Sequence, residues 1–461
     1  APDSAARPAA PQAAAGVERR SPLSLADVVS LALQNNPSTR VAYAQARAAA
    51  AAYGSARGRL YPTVNATAPL SRTHGVAGGT GSTGGTGTDS TGTGRSGGSG
   101  DRTTFTPGLS LSYLLFDFGG RGGSIAAARE TAAAAGEQSD VTVQATILQA
   151  EGAYFAYNAA RDLVDADRAN VRMAGEARDA AVARFHVGLA TVADTLQAST
   201  ALAQAQLTEL TAEGEVQTTR GDLAAAMGTS ADVPFEIEST PGPVPVQALG
   251  ESVDSLMARA VRERPDLAAA RSTAAAARAQ VRVARSAELP SLTLGSNLGR
   301  TFSNQPNSSG STYGLTLGVQ VPVFSGFSRQ YDVREARAQA EAAAARVDVA
   351  RVQVANQVFT AYTTLQVASG RVRASALLLA SAVESEQVAR GRYAEGVGTF
   401  LEVLTAQNAL AAARAQAAQA RWQWQTALAQ LAHDVGTLDR SGAPGLPLST
   451  TAGTPAAPRT R

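Results

Sequence analysis

Few residues of this chain could perform covalent chemistry. There is no Cys and no Lys, since all 40 basic residues are Arg, and the three His (His74, His186, His433) are widely scattered. A thiolate nucleophile, a phosphate-binding P-loop and a Schiff base are thereby excluded, and a zinc site built from such dispersed imidazoles is not expected. Where charged residues do recur with fixed spacing, they do so in two copies of one stretch. Arg184 to Leu202 and Arg392 to Leu410 both run Arg, aromatic, two residues, Gly, five residues, acid, then Leu two further on. Arg184 and Arg392, Phe185 and Tyr393, Gly188 and Gly396, Asp194 and Glu402 are each separated by 208 positions. The chain is a tandem duplication, and because Gly accepts the positive φ that ends a helix, Gly188 and Gly396 are predicted to turn two helical hairpins.

The elements around these turns repeat as well. A helical pattern from Leu25 stops at Asn35-Asn36-Pro37, and a second helix runs to Tyr61-Pro62; in the later half the corresponding prolines are Pro265 and Pro290. Each pair is 25 residues apart. After each second Pro the sequence alternates apolar and polar residues. This predicts strands at about 63–72 and 105–116 in a first repeat (23–230), and at about 291–300 and 313–324 in a second (251–437). The connector from Thr73 to Thr104 is Gly-rich and expected to be an exposed, mobile loop; its counterpart, Thr301 to Ser311, is shorter. From Arg121 to Gly188, and again from Arg329 to Gly396, 67 positions pass without a Pro. A seam of Val354, Val358, Ala361, Leu365, Ala368, Val372, Ser375, Leu379 and Ala382 predicts an antiparallel coiled-coil hairpin with the return helix, with Asp167 at the position that Ser375 fills in the second copy. Arms of this length are about 100 Å long.

A formal charge of +2 argues against a nucleic-acid partner. No stretch reaches the ~20 apolar residues of a spanning helix. The Pro/Ala-rich start at Ala1 reads as a mature N-terminus after signal-peptide removal, residues 1–22 and 438–461 as disordered, and 231–250 as a linker. The strands are each about ten residues, the length of a membrane β-strand, and four cannot close a barrel alone, so the chain must oligomerise. Aromatics assigned to the strand ends (Tyr61, Phe116, Phe118, Phe324 and Phe327 at one boundary, Phe105 and Tyr313 at the other, and Tyr113) are consistent with two interfacial girdles. A water-soluble β-sandwich is the competing reading.

Asn35-Asn36-Pro37, the Leu-Tyr-Pro and Glu-Leu-Pro strand starts, Leu115-Phe116-Asp117-Phe118-Gly119 with Val323-Phe324-Ser325-Gly326, and the doubled turn together resemble the TolC family of outer-membrane efflux and secretion channels, over about residues 23–436. The resemblance implies a mainly α protein with a membrane β-barrel: a homotrimer with a twelve-stranded barrel in the outer membrane of a Gram-negative bacterium and a twelve-helix periplasmic tunnel. It also implies docking to a periplasmic adaptor and an inner-membrane pump, with no enzymatic activity and no cofactor. By the same resemblance, Val187, Gly188, Leu189, Gly396, Val397 and Gly398 form adaptor-contact tips, Tyr393 and Asp194 bond across a periplasmic gate, and Glu402 forms an acidic pore ring. An Arg that links protomers in some relatives falls at Gly398. The alternatives are a type I protein-secretion channel and a coiled-coil surface protein that does not insert in lipid.

Overall fold

A computed structural model describes residues 22–75, 100–238, 251–304 and 308–438. The expected terminal segments, apart from residues 22 and 438, lie outside the described residues, as do 76–99 of the Gly-rich connector and 239–250 of the linker. The elements in order are α1 (Leu25–Asn35), α2 (Pro37–Gly58), β1 (Thr63–Thr67), β2 (Leu70–Gly75), β3 (Gly100–Phe105), β4 (Gly108–Phe116), α3 (Gly120–His186), α4 (Val192–Ala226), α5 (Val253–Glu263), α6 (Pro265–Ser286), β5 (Ser291–Ser303), β6 (Gly310–Gln320), α7 (Ser328–Ala394) and α8 (Phe400–Val435). The chain divides into two compact units. One comprises Ala1–Ala48, Ala133–Ser272 and Ala345–Arg461; the other comprises Ala49–Ala132 and Thr273–Ala344.

The first unit is helical. Helices α3 and α7 are each 67 residues long, because neither contains a Pro and both are rich in Ala and Arg, strong helix formers. The seam is packed as the spacing requires. Val354, Val358, Ala361, Leu365 and Ala368 of α7 are buried with Trp424, Ala427 and Leu431 of α8 and with Val143 and Ile147 of α3. The Trp424 indole N–H donates to Ser369 Oγ at 3.0 Å, which satisfies its one polar group. Ala361, Ala368, Ala413 and Ala420 are buried too, and their small size is what lets the helices approach.

The short helices α1 and α5 brace the return helices. Ser24 and Asp27 form a reciprocal capping box that starts α1, and Pro37 and Pro265 end α1 and α5 because the residue before a Pro leaves the helical region. At each of these ends a glycine of positive φ approaches the backbone closely. A Cβ on Gly228 (φ 69°) would lie 2.8 Å from Asn35 C, and one on Gly436 (φ 86°) 3.3 Å from Arg264 N. Arg264, 8% exposed, donates to Asp266 at 2.6 Å, to Gln357 at 2.7 Å and to the Asp434 carbonyl at 3.2 Å. Its charge is therefore paired and its donors used, as burial demands.

The second unit holds the antiparallel sheet. β1 pairs with β4, β4 with β5 and β5 with β6; β3 joins the far end of β5, and β2 pairs with β3. The four expected strands thus become six, because prolines interrupt two of them. Pro69 separates β1 from β2 and Pro107 separates β3 from β4; neither has an N–H for the ladder, although the carbonyls of both accept, from Thr106 N and Arg300 N at 3.0 Å. Residues 73–75 and 100–104, read from sequence as loop, are the paired stems of that connector. Pro322 likewise ends β6 at Gln320, before the apolar alternation runs out at Val323.

Candidate functional site

Register assigns the sheet two chemically distinct faces. Val64 opposes Leu111; Leu109 opposes Leu298; Leu292, Leu294 and Leu298 oppose Val319, Leu317 and Tyr313. All lie on one face, since side chains alternate along a strand. Thr63, Ser110, Ser112, Thr293, Asn297, Thr312 and Thr316 lie on the other. The apolar face is uncovered: Leu315, Leu317 and Val319 are between 64% and 76% exposed. Such a face has no place inside a sandwich core and suits contact with hydrocarbon.

The aromatics fall at the ends of this sheet. Phe116 and Phe118 meet edge to face at 4.7 Å, and Phe324 and Phe327 at 5.6 Å; at the other end Phe105 stacks on Phe302 at 6.2 Å. Tyr61 and Tyr313 are exposed. Tyr113 is not a strand-end residue: it pairs with Leu294 inside the ladder, and the Arg121 guanidinium lies 5.9 Å from its ring. Phe302 was missed because β5 extends beyond residue 300. Phe118 (φ 50°) and Phe327 (φ 63°) each sit beside a Gly of positive φ in the turn from strand to long helix.

At the hairpin tips both turns close with the same pair of bonds. Gly188 N donates to Phe185 O and Leu189 N to Arg184 O; Gly396 N donates to Tyr393 O and Val397 N to Arg392 O, at 2.8–3.1 Å. This is a Schellman closure, with both glycines at φ 78°. Val187, Leu189 and Val397 protrude, 68–71% exposed, so the tips present apolar side chains to solvent. A Cβ on Gly398 would stand 3.0 Å from Arg392 Cβ and 3.2 Å from Arg392 C, so a larger residue there would require the turn to give by a few tenths of an ångström.

The acids of the tip are local caps. The Asp194 carboxylate accepts from Thr191 N at 2.8 Å and from Thr191 Oγ1 at 2.9 Å, while Asp194 N donates back to that hydroxyl, a complete capping box for α4. Glu402 N donates to Thr399 Oγ1 at 3.3 Å, and its carboxylate lies 3.5 Å from Arg392 Nη1. Tyr393 and Asp194 therefore do not bond within this chain. The Tyr393 hydroxyl is buried without a partner, and its ring packs on Phe400 at 5.7 Å and beneath the Arg184 guanidinium at 4.4 Å. Arg184 also donates to the carbonyls of Tyr393 and Ala394, so it reaches from the first hairpin to the last carbonyls of α7 in the second. This residue went unassigned in the sequence reading, although the duplicated motif begins with it. The Thr191-x-x-Asp194 and Thr399-x-x-Glu402 spacings are the sequence signal that identifies these acids as caps, and it went unused in the sequence reading.

An uncovered apolar sheet face, a polar opposite face and long paired hairpins are the architecture of outer-membrane channel proteins. The solved outer-membrane protein VceC of Vibrio cholerae superposes with a TM-score of 0.76 at 20% identity, covering 89% of this chain and 96% of its own. The sequence model of the outer membrane efflux proteins matches residues 28–229 and 256–437, and the chain belongs to that family. Among curated relatives it is 29% identical over 436 residues to Protein CyaE of Bordetella pertussis, covering 93% of this chain and 87% of the relative. It is 26% identical over 435 residues to the alkaline protease secretion protein AprF of Pseudomonas aeruginosa, covering 91% and 85%. Outer-membrane residence and a role in efflux follow from the family, and the reading as a surface coiled coil outside lipid is set aside.

Proposed function

We propose that three copies of this chain close a twelve-stranded barrel in the outer membrane and a twelve-helix periplasmic tunnel, and that the assembly passively conducts substrates delivered by a periplasmic adaptor and an inner-membrane pump. The observation that carries this is the sheet: among the described residues β1 pairs only with β4 and β6 only with β5, so two edges end without partners beside an apolar face. In hydrocarbon those backbone groups require another chain. The purified protein is expected to need detergent and to sediment as a trimer; a monodisperse monomer in plain buffer overturns the reading. A second reading, export of proteins, is favoured by the match to AprF over 91% of this chain and 85% of that relative, whose name gives it a role in protease secretion.

Within this duct the tips serve as adaptor contacts through Val187, Gly188, Leu189, Gly396, Val397 and Gly398, and Glu402 contributes one carboxylate per chain to a ring that favours cations. Closure of the tip is assigned to Arg184 and the Tyr393 ring. A cation–π contact with charge-assisted hydrogen bonds is worth about 2 kcal/mol when partly desolvated. Arg184→Ala is therefore expected to raise the open fraction in single-channel recordings, and Tyr393→Phe, which removes only an unpartnered hydroxyl, to leave it unchanged. A rise in Tyr393→Phe as large as in Arg184→Ala would return the gate to the phenol.

A further inference from the structure

One groove of the helical unit contains polar atoms that neither the tips nor the seams use. Asp167 on α3 is 5% exposed, yet its Oδ2 accepts no hydrogen bond. One turn further, the buried Oδ1 of Asn170 also lacks a donor. Both residues line a cavity of about 670 Å³ bounded by α3, α4 and α8, whose walls combine alanines, such as Ala201 and Ala411, with amides, such as Gln204 and Gln407. Neither neighbouring cation is paired with Asp167. Arg168 lies 3.4 Å from Glu209 and 2.9 Å from Glu213, and Arg414 donates to Met173 Sδ at 3.6 Å. Burial pushes the Asp167 carboxyl up, a hydrogen bond from the Asn170 side chain partly offsets this, and the charge of Glu209 adds to the rise.

A buried acceptor left without a donor costs about 1–3 kcal/mol, and more when it is charged. A ligand that relieves this pair brings at least two N–H or O–H donors, complements the ionised carboxylate with a positive charge, and fits walls of alanine and amide side chains. A divalent metal ion is a poor match, since among the described residues no three His, Cys, Asp or Glu side chains stand together as ligands. An ammonium group matches, because it donates three hydrogen bonds, carries the complementary charge and can trail a hydrocarbon chain along the alanines. We propose that this groove binds a protonated primary amine with an aliphatic chain, its ammonium held between Asp167 Oδ2 and Asn170 Oδ1. The site lies within a single chain and does not depend on the exit-duct reading.

Calorimetric titration of the full-length, detergent-solubilised protein with butylammonium chloride at pH 8 tests this, with 1-butanol as the neutral control. Partition into the micelle is common to all variants and subtracts out. Saturable binding of butylammonium is expected in the wild type, with none for butanol. Asp167→Asn, which preserves shape and removes charge, is expected to weaken binding by at least about tenfold. Ala201→Leu leaves the carboxylate in place and fills the groove, and it is expected to do the same. Absence of saturable binding in the wild type, equal binding in Asp167→Asn, or butanol binding as tightly as the amine would each overturn the proposal.

Discussion

Leu111→Arg and Leu315→Arg are expected to lower the stability of the membrane-inserted protein by about 2–4 kcal/mol each, the cost of an Arg side chain on a lipid-facing strand near the bilayer midplane. Leu111 is near the middle of β4 and Leu315 near the middle of β6, both on the uncovered apolar face. Val319 shares that face one residue from the end of β6, so Val319→Arg should cost far less, about 0–1 kcal/mol, because the guanidinium reaches the interface. Thr316→Arg, one residue from Leu315 on the opposite face, should fold normally and change conductance instead. Urea midpoints in lipid vesicles and single-channel recordings measure the two effects. Equal destabilisation by Leu315→Arg and Thr316→Arg would show that the faces are assigned wrongly.

Glu151→Gln is expected to stabilise the protein above pH 7 and to have little effect near pH 4.5. Glu151 on α3 is 2% exposed, and one of its carboxylate oxygens has no hydrogen-bond donor. Burial raises its pKa from 4.5 to about 7. A carboxyl with a raised folded-state pKa binds its proton more tightly in the folded chain than in the unfolded one. Its favourable contribution is therefore complete below pH 4.5, is lost as the pH rises through the folded pKa near 7, and leaves a penalty above it. A displacement of this size corresponds to about 3 kcal/mol. Gln keeps the shape and never ionises, so its thermal midpoint should exceed the wild type's at pH 8, while the two should converge at pH 4.5. A constant difference across that range would mean that Glu151 titrates alike in the folded and unfolded chain, as a solvated carboxyl does.

The helical framework was legible because it follows from exclusion. A long Ala- and Arg-rich run without Pro leaves α3 and α7 no reason to stop before Gly188 and Gly396, and the 208-residue offset transfers the bounds of α3 to α7 and the start of α4 to α8. Strand alternation was legible as chemistry but not as extent. Val321 and Val323 keep the pattern that Pro322 interrupts, and Pro69 breaks a run that side-chain period alone joins. The tip was the least legible. Asp194 has a backbone N–H and a hydroxyl three residues away, and these local donors hold it, so a bond to a phenol on another hairpin is not made. Nor could spacing distinguish Arg184 from Arg392, which occupy the same place in the motif. Only packing shows that one stacks on Tyr393 while the other pairs with Glu402. Glu151 was also hidden, because its counterpart 208 residues on is Phe359, 54% exposed, and an acid in the middle of a long helix ordinarily reads as solvated.

The divergence of Arg184 and Arg392 sets the periodicity that a ring of these chains presents. In the seams and the Schellman turns, half a chain is the repeating unit, so the proposed ring of three chains would display six near-equivalent hairpins. At the arginines the whole chain is the unit, and the hairpins alternate between one that reaches out and one that is grasped. A ligand that grips only the protruding Leu189 and Val397 would count six sites on such a ring, whereas one that contacts Arg184 would count three. Binding stoichiometry thus distinguishes which layer of the tip a partner touches, without any image of the complex.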